Sequence, residues 1–157
     1  MATPPDHPRR AGPASTSDGR FHHILVPTDL SDRTEKAIDL AVRLASPTAA
    51  RVTLIHVIAT IPGLSIKELK PFYDRLERKA RKTMDAWRRR AGEGVSTVTI
   101  VVRGARAEEI VSYAAANDVD LIVLASHRVN PSLVNRDWGT ISYKVGILAQ
   151  CPVLLVK

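Results

Sequence analysis

Apolar residues in this chain follow two rhythms: short strand-length blocks, and longer stretches where they recur every three or four positions. The first block, Ile24-Leu25-Val26, is closed by Pro27 and followed by Thr28-Asp29-Leu30-Ser31-Asp32. It predicts a strand over residues 23–27. The polar residues behind it predict a helix start, with Ser31 or Asp32 capping the free amides and Glu35 completing a capping box with Asp32. Ala37, Ile38, Ala41 and Leu44 give that helix a buried stripe to about Ala45, and Pro47 stops it. Residues 51–57 alternate and then turn apolar at Leu54, Ile55 and Val57, the pattern of a strand covered on both faces.

A long helix is predicted next, starting near Pro71, since proline is tolerated in a first turn but costs about 3 kcal/mol in a helix interior. Gly92 and Gly94 end it. Residues 98–102 read as a strand, 107–116 as a helix with Asn117 as its left-handed stop, and 121–125 as a strand. A last helix over 140–149 and a last strand that opens on Pro152 and ends on Val156 complete the series. Strict alternation of strand and helix builds a parallel α/β sheet with helices on both faces, joined by right-handed crossovers. In open sheets of this kind ligands bind beyond the carboxyl ends of the strands, where the winding reverses. Two segments stand there: Pro27-Thr28-Asp29, and the long connection from Ser126 to Gly139.

Length and composition add limits. The 157 residues, 45% of them hydrophobic, suit one domain with an ordinary core, placed at residues 21–157. Residues 1–20 hold four of the ten prolines and no apolar pattern, and are expected to form a disordered tail without a secretory or twin-arginine signal. No apolar run approaches the roughly 18 residues a membrane span needs. Cys151, the single cysteine, offers no internal disulfide, reads as a small buried hydrophobe, and fits a cytoplasmic location. Between Ser65 and Gly92 ten basic residues face four acids, which places +6 of the chain's net +7 on the long helix. Its apolar residues recur at helical spacing, so the cations lie on outward faces, read as solvated, with an acidic partner or a phosphate surface as the alternative. A nucleic-acid partner would rest on this helix alone and is not expected; a steep fall of affinity with salt would be its signature.

Candidate chemistry is sparse. Gly139-Thr140 opens the last helix, where free amides and the helix dipole favour an anion. No HxxxH or HExxH spacing marks a metal site among His22, His23, His56 and His127, and no metal is predicted. Ser126-His127 with Asp29 lacks the GxSxG elbow of a hydrolase.

Taken together, Ile24-Leu25-Val26-Pro27-Thr28-Asp29, Ile55-His56-Val57, the run from Asp120 to His127, Gly139-Thr140 and the run from Cys151 to Val156 resemble universal stress proteins, in that order and at matching separations. The resemblance covers residues 21–157. It implies a five-stranded parallel Rossmann-like sheet of the adenine nucleotide alpha hydrolase type, in the order 3-2-1-4-5, commonly a homodimer, with an ATP or AMP site in many members. By that match Pro27, Thr28 and Asp29 flank the adenosine and Val57 lies beside the base. The family holds phosphates with a loop written Gly, two residues, Gly, nine residues, Gly-Ser or Gly-Thr. Here only Gly139-Thr140 keeps the pattern. Counted back from Gly139, Val129 stands at the second glycine position; aligned on Ser126-His127, Arg128 and Pro131 stand at the glycine positions. Proline removes an amide donor, so the phosphate cradle is compromised. Arg128 either grips phosphate through its guanidinium or fills the site beside Asp29. The expected function is therefore a non-catalytic stress-response module with weak or absent ATP binding; the alternative is a true ATP or AMP binder in which Arg128 replaces the glycines, and a small nucleotide-using enzyme stands behind both. The apolar last strand, placed at a sheet edge, is the expected homodimer contact.

Overall fold

The computed structural model describes residues 20–61, 63, 67–126 and 140–157. These form β1 (His23–Thr28), α1 (Arg33–Ala45), a 3-10 turn (Ser46–Thr48), β2 (Arg51–Ala59), α2 (Lys70–Ala91), β3 (Thr97–Gly104), α3 (Arg106–Ala116), β4 (Leu121–Ala125), α4 (Ile141–Leu148) and β5 (Val153–Val156). The sheet runs β3-β2-β1-β4-β5, and every pairing is parallel. β1 sits at its centre with all six residues buried. The reason is visible in neighbouring side chains: Ile24 and Val26 join Leu54, Leu121 and Val123 under α1 and α2, whereas Leu25 joins Ile55, Ile122 and Leu124 under α3 and α4. Consecutive apolar residues therefore serve opposite faces.

Two helix-end expectations are corrected. Asp32 has helical backbone angles and makes no side-chain capping bond; the Glu35 amide instead donates to the Asp32 carbonyl at 3.1 Å. Glu35 does not close a capping box because its carboxylate accepts from Trp87 Nε1 at 3.2 Å and pairs with Arg90, tying α1 to α2. At the end of α3 the left-handed residue is Asp118, with φ of 51°, and not Asn117, whose side chain donates back to the Tyr113 carbonyl. Aspartate tolerates that region for the same reason asparagine does.

His23 is a buried polar member of β1. Its Nε2 lies 2.8 Å from Thr53 Oγ1, while Nδ1 is 2.9 Å from both the Asn117 carbonyl and Arg51 Nη2. A carbonyl only accepts and a guanidinium only donates, so Nδ1 serves one of the two at a time. Burial lowers the pKa of the ring and the Arg51 charge adds to it, outweighing the Asn117 carbonyl and the nearby Asp120 and Asp118. The unfolded chain, near the ordinary 6.5, then takes up a proton first. Stability from this ring is complete above that value and is lost as pH falls from there through the folded-state pKa. The thermal midpoint is expected to drop between about pH 7.5 and about pH 5.5, less so in His23→Gln, with His56 acting in the same direction. A flat wild-type profile over that range would contradict this account.

Candidate functional site

The winding reverses at β1, which has β2 on one side and β4 on the other. Beyond the carboxyl ends of these three strands lies a cavity of about 260 Å³. Ile55, Val57, Ile110, Leu124, Ala125 and Ile141 supply apolar wall, and Asp29, Arg33, Thr34, His56, Arg106, Thr140 and Ser142 the polar groups.

The segment after β1 is locally built. Thr28 Oγ1 accepts from the Leu30 amide at 2.9 Å and donates to Thr34 Oγ1 at 3.2 Å. Leu30 takes a positive φ of 64°, a cost of order 1 to 3 kcal/mol that persists only where surroundings enforce it. Asp29 provides that enforcement: its Oδ1 accepts from the Ser31 amide at 2.9 Å, the Ser31 hydroxyl at 2.5 Å and Thr34 Oγ1 at 3.2 Å. Oδ2 faces Arg33 at 3.3 Å, both side chains being more than half exposed. Partial burial pushes the Asp29 carboxyl up, but the Ser31 and Thr34 hydrogen bonds and the Arg33 charge outweigh it and hold it below its ordinary value. The group is ionised at neutral pH, and Oδ2, which accepts from Arg33 Nη2, keeps a lone pair for a further donor.

His56 donates from Nδ1 to the Thr28 carbonyl at 2.8 Å, since a carbonyl can only accept. Burial lowers its pKa, and the Arg106 charge lowers it further, against the pull of the Thr28 carbonyl and Asp29. The ring is therefore a neutral wall of the cavity that links β2 to the end of β1. Thr140 is the N-cap of α4; its hydroxyl oxygen accepts from the Tyr143 amide at 3.3 Å. The Ile141 and Ser142 amides at the same helix start belong to the group that a helix leaves without internal partners.

Of the residues expected from the sequence, Pro27, Thr28, Asp29, Val57 and Thr140 come together on this cavity. Ser126 does not line it: its amide donates to the Val156 carbonyl and its hydroxyl accepts from Lys157, which places it on the β5 side. Arg128, Pro131 and Gly139 lie outside the described residues. Sequence reasoning missed Arg33, Thr34, His56 and Arg106 as lining groups. Arg33 and Thr34 had a usable signal, standing four and five residues after Asp29 in the first helical turn. Arg106 had a fainter one, as the second residue after β3. Among the described residues no cluster of His, Cys, Asp or Glu could hold a metal ion, and no helix is long and apolar enough to cross a membrane.

A parallel sheet in this order, with an apolar-walled cavity and one ionised carboxylate at the switch point, defines a Rossmann-like protein with a candidate site at that point. The sequence profile of the Universal stress protein family matches residues 20–157, and the chain belongs to that family. It is 32% identical over 151 residues to Universal stress protein YxiE of Bacillus subtilis, covering 87% of this chain and 99% of that one. Among solved structures it is similar to universal stress protein UspA from Lactobacillus plantarum, with a TM-score of 0.71, 28% identity, and coverage of 89% and 100% of the two chains. A universal stress protein solved in complex with cAMP shares the fold at 21% identity, with a TM-score of 0.67 over 87% of this chain and 97% of that one.

Proposed function

We propose that this protein is a cytoplasmic, non-catalytic binding module of the stress response, whose cavity takes an adenine nucleotide of few phosphates and binds ATP weakly or not at all. The observation that carries the reading is the cavity that brings the Asp29 carboxylate and the apolar Val57 wall together beyond β1. A ribose hydroxyl or base amine can donate to the carboxylate while the base lies against Ile55, Val57 and Leu124. The cAMP complex of a fold relative supports the ligand class. The sequence supports weak ATP binding, since Pro131 cannot donate an amide and Arg128 adds bulk where the family has glycine.

Calorimetric titration with AMP and ATP of the wild type, Arg128→Gly and Arg128→Gly/Pro131→Gly tests this reading. AMP is expected to bind more tightly than ATP, and the double variant to gain ATP affinity. Should Arg128 grip phosphate, Arg128→Gly alone would cost about 1.5 to 3 kcal/mol. Submicromolar ATP binding that ignores both substitutions would overturn the reading.

We also propose a homodimer through β5. This strand ends the sheet, and its Leu154 and Leu155 remain 38% and 41% exposed. Unpaired backbone and apolar side chains on one edge invite a symmetry mate. Sedimentation at micromolar concentration is expected to give a dimer that Leu154→Lys or Leu155→Lys weakens; a monomeric wild type would exclude it.

A further inference from the structure

The fold sorts the cations of α2 into two sets. Its acids are all engaged: Asp74 with Lys70 and Arg103, Glu77 with Arg81 and Arg103, and Asp85 with Arg88. Arg90 leaves the helix for Glu35 and Asp39 of α1. What remains is Arg75, Arg78, Lys79, Lys82 and Arg89, all exposed and without an ion pair among the described residues. At 3.6 residues per turn these five fall within an arc of about 100°, opposite the buried Tyr73, Ala80, Met84 and Trp87, along about 21 Å of helix. The result is a convex ridge of uncompensated positive charge whose residues are not among those lining the cavity beyond β1, and it is independent of the function proposed for that cavity.

We propose that this outward face of α2 is a docking surface for the phosphate backbone of double-stranded nucleic acid, bound without regard to base sequence. Charge complementarity calls for a polyanion, and the missing apolar surface selects among polyanions. Stable binding of a helix to an anionic membrane adds an inserted apolar face to the charge attraction, and that face of α2 is turned into the core. Protein interfaces favour a centre depleted of charge and rich in aromatics, and within this ridge the only uncharged position is Ala86. A single strand needs stacking platforms spread along the surface, whereas Phe72 stands alone at one end under Arg75. A duplex backbone needs cations alone, and its affinity comes from released counterions.

The test is fluorescence anisotropy of a labelled mixed-sequence duplex of about 20 base pairs, at roughly 50 to 200 mM salt. With four to five phosphate contacts, affinity is expected to fall by roughly two orders of magnitude over that range. Arg78→Gln/Lys82→Gln/Arg89→Gln is expected to lower the log-log salt slope by about 2 to 3, and Arg78→Lys/Arg89→Lys to retain it. Lys36→Gln/Arg43→Gln/Lys144→Gln removes the same charge elsewhere and is expected to leave the slope near that of the wild type, with thermal midpoints confirming that every variant folds. Equal weakening by both triple variants would assign the effect to net charge and overturn the proposal. So would the absence of binding at the lowest salt, or tighter binding to single strands, to vesicles containing phosphatidylserine, or to an acidic peptide.

Discussion

Asp29→Ala is expected to weaken AMP binding by roughly one to two orders of magnitude, the scale of about 1.5 to 3 kcal/mol for hydrogen bonds to a charged group. Oδ1 is consumed by Ser31 and Thr34, which leaves Oδ2, shared with Arg33 at 3.3 Å, as the charged acceptor with capacity for a ligand. Because those bonds also organise the start of α1, the alanine variant loses stability as well. Asp29→Asn separates the two effects: its amide oxygen still accepts from the Ser31 amide, but the charge is gone. It is expected to keep a thermal midpoint close to the wild type and to bind AMP less tightly. Since the carboxyl titrates below its ordinary 3.8, AMP affinity should not vary with the ionisation of this group through the neutral range. Calorimetry on the wild type and both variants checks this, and an Asp29→Ala protein that binds AMP like the wild type would remove Asp29 from the site.

Met84→Ala is expected to destabilise the protein by roughly 2 to 5 kcal/mol, the range for truncating a large buried aliphatic side chain to alanine. For a chain of this length that is a fall in thermal midpoint of roughly 6 to 15 °C. Met84 is fully buried and belongs to the cluster that α2 shares with Leu54, Val95 and Trp87 under the sheet. Collapse around the missing atoms is restrained, because Trp87 is held by Glu35 and the helix by the Arg103 pairs with Asp74 and Glu77. Met84→Leu conserves volume and is expected to cost less than about 1.5 kcal/mol. Thermal and urea denaturation of the two variants would show it; a loss below about 1 kcal/mol for alanine would mean that the site relaxes freely.

Reading the sequence located all five strands and the four helices that flank them, because the apolar blocks of β1, β2 and β4 and the helical stripe of α2 are set by burial itself, which leaves a period in the chain. The reading failed where several polar groups compete for one helix end, as Ser31, Asp32 and Glu35 do before α1, and Asn117 and Asp118 after α3. Each of these residues is chemically able to serve, and the choice depends on what else its side chain can reach. Glu35 reaches Trp87 and Arg90, 52 and 55 residues away.

Strand alternation predicted parallel pairing, whereas the order 3-2-1-4-5 followed from the resemblance to universal stress proteins, since periodicity carries no information on which strands are neighbours. The same limit applies to the site. Pro27, Thr28, Asp29 and Val57 were named through the resemblance to the family, which assigns those positions. His56, inside the same Ile55-His56-Val57 motif, and Arg106 carried no such assignment, and the fold placed them on the cavity beside the end of β1. The charge of α2 divides in the same way. The sequence by itself determined that this helix is basic and amphipathic, since both properties are local sums. Only the tertiary structure decided which cations remain unpaired, because Arg103 of β3 and the acids of α1 meet α2 through folding and not through sequence proximity.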